Sequence, residues 1–123
     1  MFIIHDDNTF EIIRGDSANF DIYLPIYNEE GEIIGEYDLQ PGDTLLFTVK
    51  KNTKTDEIIF QKAGQNITIN PSDTEEVPYG KYVYDAELTY AIEAGQEEPF
   101  VDTVISPTEF RILDEVTFHR RNG

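Results

Sequence analysis

The side chains with chemical reach in this sequence are mostly carboxylates. Asp and Glu number 25 against 9 Lys and Arg, with 2 His and no Cys. His5, Asp6, Asp7 and His119 could ligate a metal, but a closed zinc site without cysteine needs carboxylates at set spacing, and none is visible. Glu29, Glu30, Glu32 and Glu36 could face a calcium ion across a hairpin. A calcium loop interleaves Asp or Asn around a tight glycine, and that pattern is missing, so a solvated acidic face is expected. Ser17, Ser72 and Ser106 lie outside any Gly-x-Ser-x-Gly elbow. Paired carboxylates could in principle cleave a glycosidic bond. A small β domain offers them little cleft, and no Trp is present to stack on a sugar. No glycine-rich phosphate loop occurs. Arg14-Gly15-Asp16-Ser17 spells a cell-adhesion tetrapeptide. The same residues are favoured in any β-turn, and the turn is the expected reading. No catalytic, cofactor-binding or metal-binding residue is therefore expected, and the chain reads as a non-enzyme.

The elements available to position such groups are strands. The chain has 123 residues, 39% hydrophobic and 12% aromatic, which suits one domain over residues 1–123 with one modest core. Mean hydropathy is −0.43 and no apolar run approaches a spanning length. The N-terminus turns acidic at Asp6 and Asp7, unlike a signal peptide, so a cytoplasmic site of synthesis and assembly is expected. A net charge of −16 disfavours nucleic acid and anionic membranes as partners, and suits a partner with a basic face.

The stretch from Asn70 to Leu88 is the most informative. Tyr82, Tyr84, Ala86 and Leu88 alternate with Val83, Asp85 and Glu87, which predicts a long central strand over 82–88, after a Pro-Gly corner at Pro78 to Gly80. Pro71 and Pro78 exclude a strand before it. Ser72 or Asp73 could cap one helical turn over 73–76. Gly80-Lys81-Tyr82-Val83-Tyr84 resembles the corner of immunoglobulin-like sandwiches, in which a tyrosine hydroxyl bonds upstream backbone. Asp73, Gly80, Tyr82 and Tyr84 are the expected corner residues, with scaffold roles and no chemistry.

Elsewhere strands are expected over 9–13, 19–24, 44–51, 58–60, 66–69, 100–105 and 109–113. Shorter ones are expected at 2–4, around Ile33 and Ile34, and at 116–118, with residues 120–123 frayed. Turns fall at Arg14 to Ser17, Asn28 to Gly31, Pro41-Gly42 and Ala94 to Glu98, and Pro107 marks a break. Short strands with turns at this spacing predict an all-β, immunoglobulin-like Greek-key sandwich of about seven to nine strands, with one helical turn near 72–76.

Two longer stretches carry a resemblance. One runs from Ile12 through Arg14-Gly15-Asp16 to Ile22, followed by an acidic hairpin and Asp43 to Lys51. The other runs from Ile67-Thr68-Ile69-Asn70-Pro71 through Gly80-Lys81-Tyr82-Val83-Tyr84 to Phe110-Arg111-Ile112-Leu113. Their layout resembles small β-sandwich proteins of tailed bacteriophages and prophages, and is similar to the N-terminal domain of upper baseplate proteins of phages infecting Gram-positive bacteria. The resemblance implies a structural or adaptor role in a tail or baseplate, with other tail proteins or copies of itself as partners and a virion as final location. Such baseplate proteins continue into a coiled coil. This sequence stops at Gly123, so a stand-alone accessory protein is the expected version. The alternative is a carbohydrate- or cell-surface-binding module using Tyr23, Tyr27, Tyr37, Tyr79 or Tyr90.

Overall fold

A computed structural model describes residues 1–115. Ten strands and one helical turn lie within them: β1 (Phe2–Ile4), β2 (Phe10–Ile13), β3 (Ala18–Asp21), β4 (Pro25–Tyr27), β5 (Ile33–Glu36), β6 (Thr44–Lys50), β7 (Ile58–Ala63), β8 (Asn66–Ile69), α1 (Pro71–Thr74), β9 (Gly80–Thr89) and β10 (Val101–Leu113). Six strands form one sheet in the order β1-β2-β10-β9-β6-β7, while β3 pairs β8 and β4 pairs β5 in two separate ribbons. Pairing is antiparallel except between β2 and β10, which run parallel with Phe10 opposite Phe110.

Alternation decides which face is inside. Tyr82, Tyr84, Ala86 and Leu88 of β9 are buried, as are Leu45, Phe47 and Val49 of β6, Phe10 and Ile12 of β2, and Phe110 and Ile112 of β10. Ala18, Ile67 and Ile69 of the β3–β8 ribbon join the same cluster. Phe20 of β3 reaches across, its ring 5.3 Å from Phe10 and 5.4 Å from Phe47. Phe10 and Phe110 stack at 4.7 Å across the parallel pair. Each such buried side chain contributes roughly 1.5–3 kcal/mol, so this aromatic cluster is the main source of cohesion.

Several expectations need correction. The two strands expected over 100–105 and 109–113 are one, β10. The register slips between Thr103 and Ile105 and again between Ile105 and Thr108, so Pro107 sits in an irregularity where its missing N–H costs no ladder bond. The run over 19–24 leaves the regular ladder after Asp21, yet Ile22 and Leu24 stay buried, with the Ile22 N–H donating to the Gln65 carbonyl and the Leu24 carbonyl accepting the Tyr37 N–H at 2.8 Å each. The strand expected over 58–60 continues to Ala63. The helical turn begins at Pro71, with Asn70 before it, and not at Ser72 or Asp73. Pro71 needs no N–H at that position, and the Asp73 carboxylate accepts the Asn70 N–H at 2.7 Å. Ten strands replace the expected seven to nine. The strand expected over 116–118 and the end at 120–123 lie outside the described residues. No helix among the described residues is long and apolar enough to cross a membrane.

Candidate functional site

Two clusters of the groups flagged in the sequence lie at opposite ends of β9. Near Gly80, the polar ones close the fold. The Tyr82 hydroxyl donates to the Pro78 carbonyl at 2.5 Å. Thr74, fully buried, accepts the Gly15 N–H at 2.8 Å. Asp73 meets Lys62 at 2.8 Å. Arg14 lies 3.5 Å from both Asp114 and Glu115, with its guanidinium over the Tyr79 ring. Asp16 binds the N-terminal amine. The adhesion-like tripeptide is thus a turn, with Gly15 at φ +84°, and its guanidinium is directed at the protein's own carboxylates. Further along β9, burial pushes the Tyr84 hydroxyl up to about 12, with Asp7 adding to it, and that hydroxyl donates to the Asn8 carbonyl.

Of the remaining candidates, His5, Asp6 and Asp7 line one open hollow of about 480 Å³ with Thr9 and Arg111. His5 contacts Glu11 at 2.7 Å, and Asp7 accepts the Thr9 N–H. The β4–β5 turn is built by Asn28, whose side-chain oxygen accepts the N–H groups of Glu30 and Glu32, which leaves Glu29, Glu30, Glu32 and Glu36 in solvent. Among the described residues, no group of three or more His, Asp or Glu could hold a metal ion. His119 lies outside them. A small hollow of about 110 Å³ on the outer face of the large sheet holds Asp85 and Lys50. Burial raises the Asp85 carboxyl and Lys50 opposes that shift. No second carboxylate lines the hollow, so it does not offer the acid–base pair of a glycosidase.

At the Thr89 end of β9, aromatic groups converge instead. A pocket of about 360 Å³ is lined by Tyr27, Tyr37, Tyr90 and Asp102 over Leu24 and Leu88. Tyr37 and Tyr90 rings lie 5.6 Å apart at 69°, and Phe100 packs 5.6 Å from Tyr90. Asp43 holds this arrangement. It accepts the Tyr37 hydroxyl at 2.5 Å and the N–H groups of Gln40 and Ala91 at 2.8 Å each. Those three bonds, the tyrosine's first, hold the Asp43 carboxyl below the ordinary range. The same bond, aided by burial, pushes Tyr37 up to about 12. The Pro41-Gly42 turn supplies the close approach: Gly42 has φ +92°, and a Cβ there would come within 2.8 Å of the Ala91 side chain.

A second cleft of about 280 Å³, walled by Phe10, Phe20, Phe47 and Tyr84, shares Pro25 and Val104 with this pocket. Beside both, the β4–β5 hairpin and the β9–β10 tip expose large apolar side chains. Ile34 is 64% exposed, Phe100 63% and Tyr27 58%, and Ile26, Ile33 and Val101 are also exposed. Of the five tyrosines singled out, three line the pocket. Tyr23 lines the neighbouring cleft and Tyr79 belongs to the far end. Sequence reasoning missed Asp43 and Asp102. Asp43 had a signal, as the fourth residue of a Pro-Gly turn. Asp102 had none, since only the pairing of β9 with β10 brings it near Tyr90.

No protein-family model matches this chain, and no curated protein or solved structure gives a significant match.

Proposed function

We propose that this chain is a non-enzymatic structural or adaptor protein of a phage or prophage tail or baseplate, working by protein–protein assembly. Its fold, in this reading, is an immunoglobulin-like Greek-key sandwich. The parallel β2–β10 pair, the helical turn before β9 and the Tyr82–Pro78 bond support that finer description. One observation carries the functional reading. The β4–β5 hairpin and the β9–β10 tip hold Ile26, Tyr27, Ile33, Ile34, Phe100 and Val101 in solvent. Large apolar groups left exposed on these two projections are the candidate contacts. Partners are other tail proteins or copies of the chain. Synthesis and assembly are in the bacterial cytoplasm, and the virion is the final location. Mass spectrometry of virions purified from an induced lysogen tests this. The chain is expected among the virion proteins, and finding it only in the soluble lysate removes the reading. Light scattering behind size exclusion adds the stoichiometry, with a trimer or hexamer expected if copies assemble with tail symmetry.

A second reading, a carbohydrate- or cell-surface-binding module, is favoured by one feature: Tyr27, Tyr37 and Tyr90 line a single pocket. Glycan-array binding that Tyr27→Ala abolishes is its expected signature.

A further inference from the structure

We propose that the pocket walled by Tyr27, Tyr37 and Tyr90 binds a methylated ammonium cation, with the Asp102 carboxylate as counter-charge. This rests on the second reading above, that the pocket is a ligand site, and is independent of the assembly reading.

Three tyrosines and one carboxylate are the components of an aromatic cage. Aromatic faces attract cations through the ring quadrupole, most strongly where water is thinned out. Here Leu24 and Leu88 supply an apolar floor. The Tyr37 and Tyr90 rings pack edge to face at 5.6 Å and together make one aromatic wall, and the exposed Tyr27 also lines the pocket. A volume of about 360 Å³ is at the small end of ligand pockets and accommodates a trimethylammonium head with part of its stem. The lining contains no Lys or Arg. Its field is therefore negative, and the Tyr90 hydroxyl registers this: burial, then Asp102 and Asp43, raise its pKa.

Two competing ligands fit less well. A sugar requires several donors and acceptors around its rim. The pocket offers one carboxylate, Thr103 and tyrosine hydroxyls, and that of Tyr37 is already committed to Asp43. A primary ammonium is strongly hydrated and needs acceptors to replace its water. One carboxylate does not replace that shell, whereas a methylated head carries little water to lose.

The methylated ammonium could be a choline head group or a methylated lysine. Titration of the full chain, followed by NMR, distinguishes them. The probes are choline, trimethyl-lysine amide and 3,3-dimethyl-1-butanol, the neutral isostere of choline. At least one cation is expected to saturate in the millimolar range, with the isostere weaker by about tenfold or more. Tyr27→Ala and Asp102→Asn change exposed side chains. Each is expected to weaken the cation by about tenfold while the far-UV spectrum is retained. Preference for choline assigns the source to a head group, and preference for trimethyl-lysine assigns it to a protein. Equal binding of the isostere, indifference to both substitutions, or no saturation by about 100 mM overturns the proposal. A glycan-array hit lost in Tyr27→Ala, without cation binding, overturns the cation and keeps the pocket.

Discussion

At the Gly80 end of β9, nearly every polar group named above has an internal partner. Thr74 holds Gly15, Tyr82 holds Pro78, Asp73 holds Lys62, and Arg14 lies among Tyr79, Asp114 and Glu115. At the Thr89 end, one clamp centred on Asp43 fixes the loops, and beyond it Tyr27, Ile33, Ile34 and Phe100 stand in solvent. A strand of ten residues separates the two by roughly 30 Å. In the proposed reading, closure of the chain and contact with other molecules fall at different ends. Substitutions should divide the same way, costing stability at the first end and binding at the second.

The largest loss is expected from Thr74→Val. The shape is kept, but the buried Gly15 N–H loses its acceptor, which costs about 1–3 kcal/mol. Thermal unfolding should show a midpoint lower by about 4 °C per kcal/mol lost. An unchanged midpoint would mean that water replaces the threonine and that this end is not sealed. Tyr82→Phe should cost less, about 1 kcal/mol, because only the hydroxyl and its bond to Pro78 are removed. The two losses should be nearly additive if these bonds act independently, and denaturant unfolding of the double variant measures any coupling.

The Asp43 clamp sharpens the comparison, because it is where the open end behaves like the closed one. An unfolded tyrosine ionises near 10. Tyr37 and Tyr84 are pushed up to about 12 in the fold. Between those values the unfolded chain releases its protons first, so rising pH favours unfolding. The contribution is complete below 10 and gone above 12. Asp43 acts with the opposite sign. Its folded pKa is depressed, so its contribution is present above the unfolded value near 4 and is lost as the pH falls through the folded one. Absorbance at 295 nm should show a late tyrosine wave that loses one member in Tyr37→Phe and another in Tyr84→Phe. Titration of all seven tyrosines near 10 would contradict the Tyr37–Asp43 bond and the burial of Tyr84.

How much of this was readable in the sequence follows from which contacts are local. The alternation in β6 and β9 was visible, and Leu45, Phe47, Val49 and Tyr82 to Leu88 are buried in that pattern, because neighbouring side chains alone set it. Pro107 was misread because a proline breaks a strand only where its N–H is needed, and the register shifts around it depend on β9. The start of α1 was misplaced although Asn70-Pro71 carried the signal of a proline in the first turn. Five tyrosines were candidates for a contact surface, and nothing local indicated which would meet. Tyr27, Tyr37 and Tyr90 converge only because the Asp43 loop is tied to Ala91 and the β9–β10 hairpin folds back beside it. Tyr79 directly precedes Gly80 and so stands at the other end, under the Arg14 guanidinium.

The smallest stability effect is expected at the hairpin, where the functional effect should be complete. Ile33 and Ile34 are exposed and contribute little to the core, so Ile33→Ser with Ile34→Ser should change folding stability by less than about 0.5 kcal/mol at each site. The same pair of changes removes apolar surface from the proposed contact and should abolish incorporation into virions, read by mass spectrometry against the wild-type chain. Normal incorporation of a normally stable double variant would shift the assembly contact away from β4–β5. A large loss of stability would instead show that these isoleucines pack within the fold, and the division between a closed and an open end would fail at its clearest point.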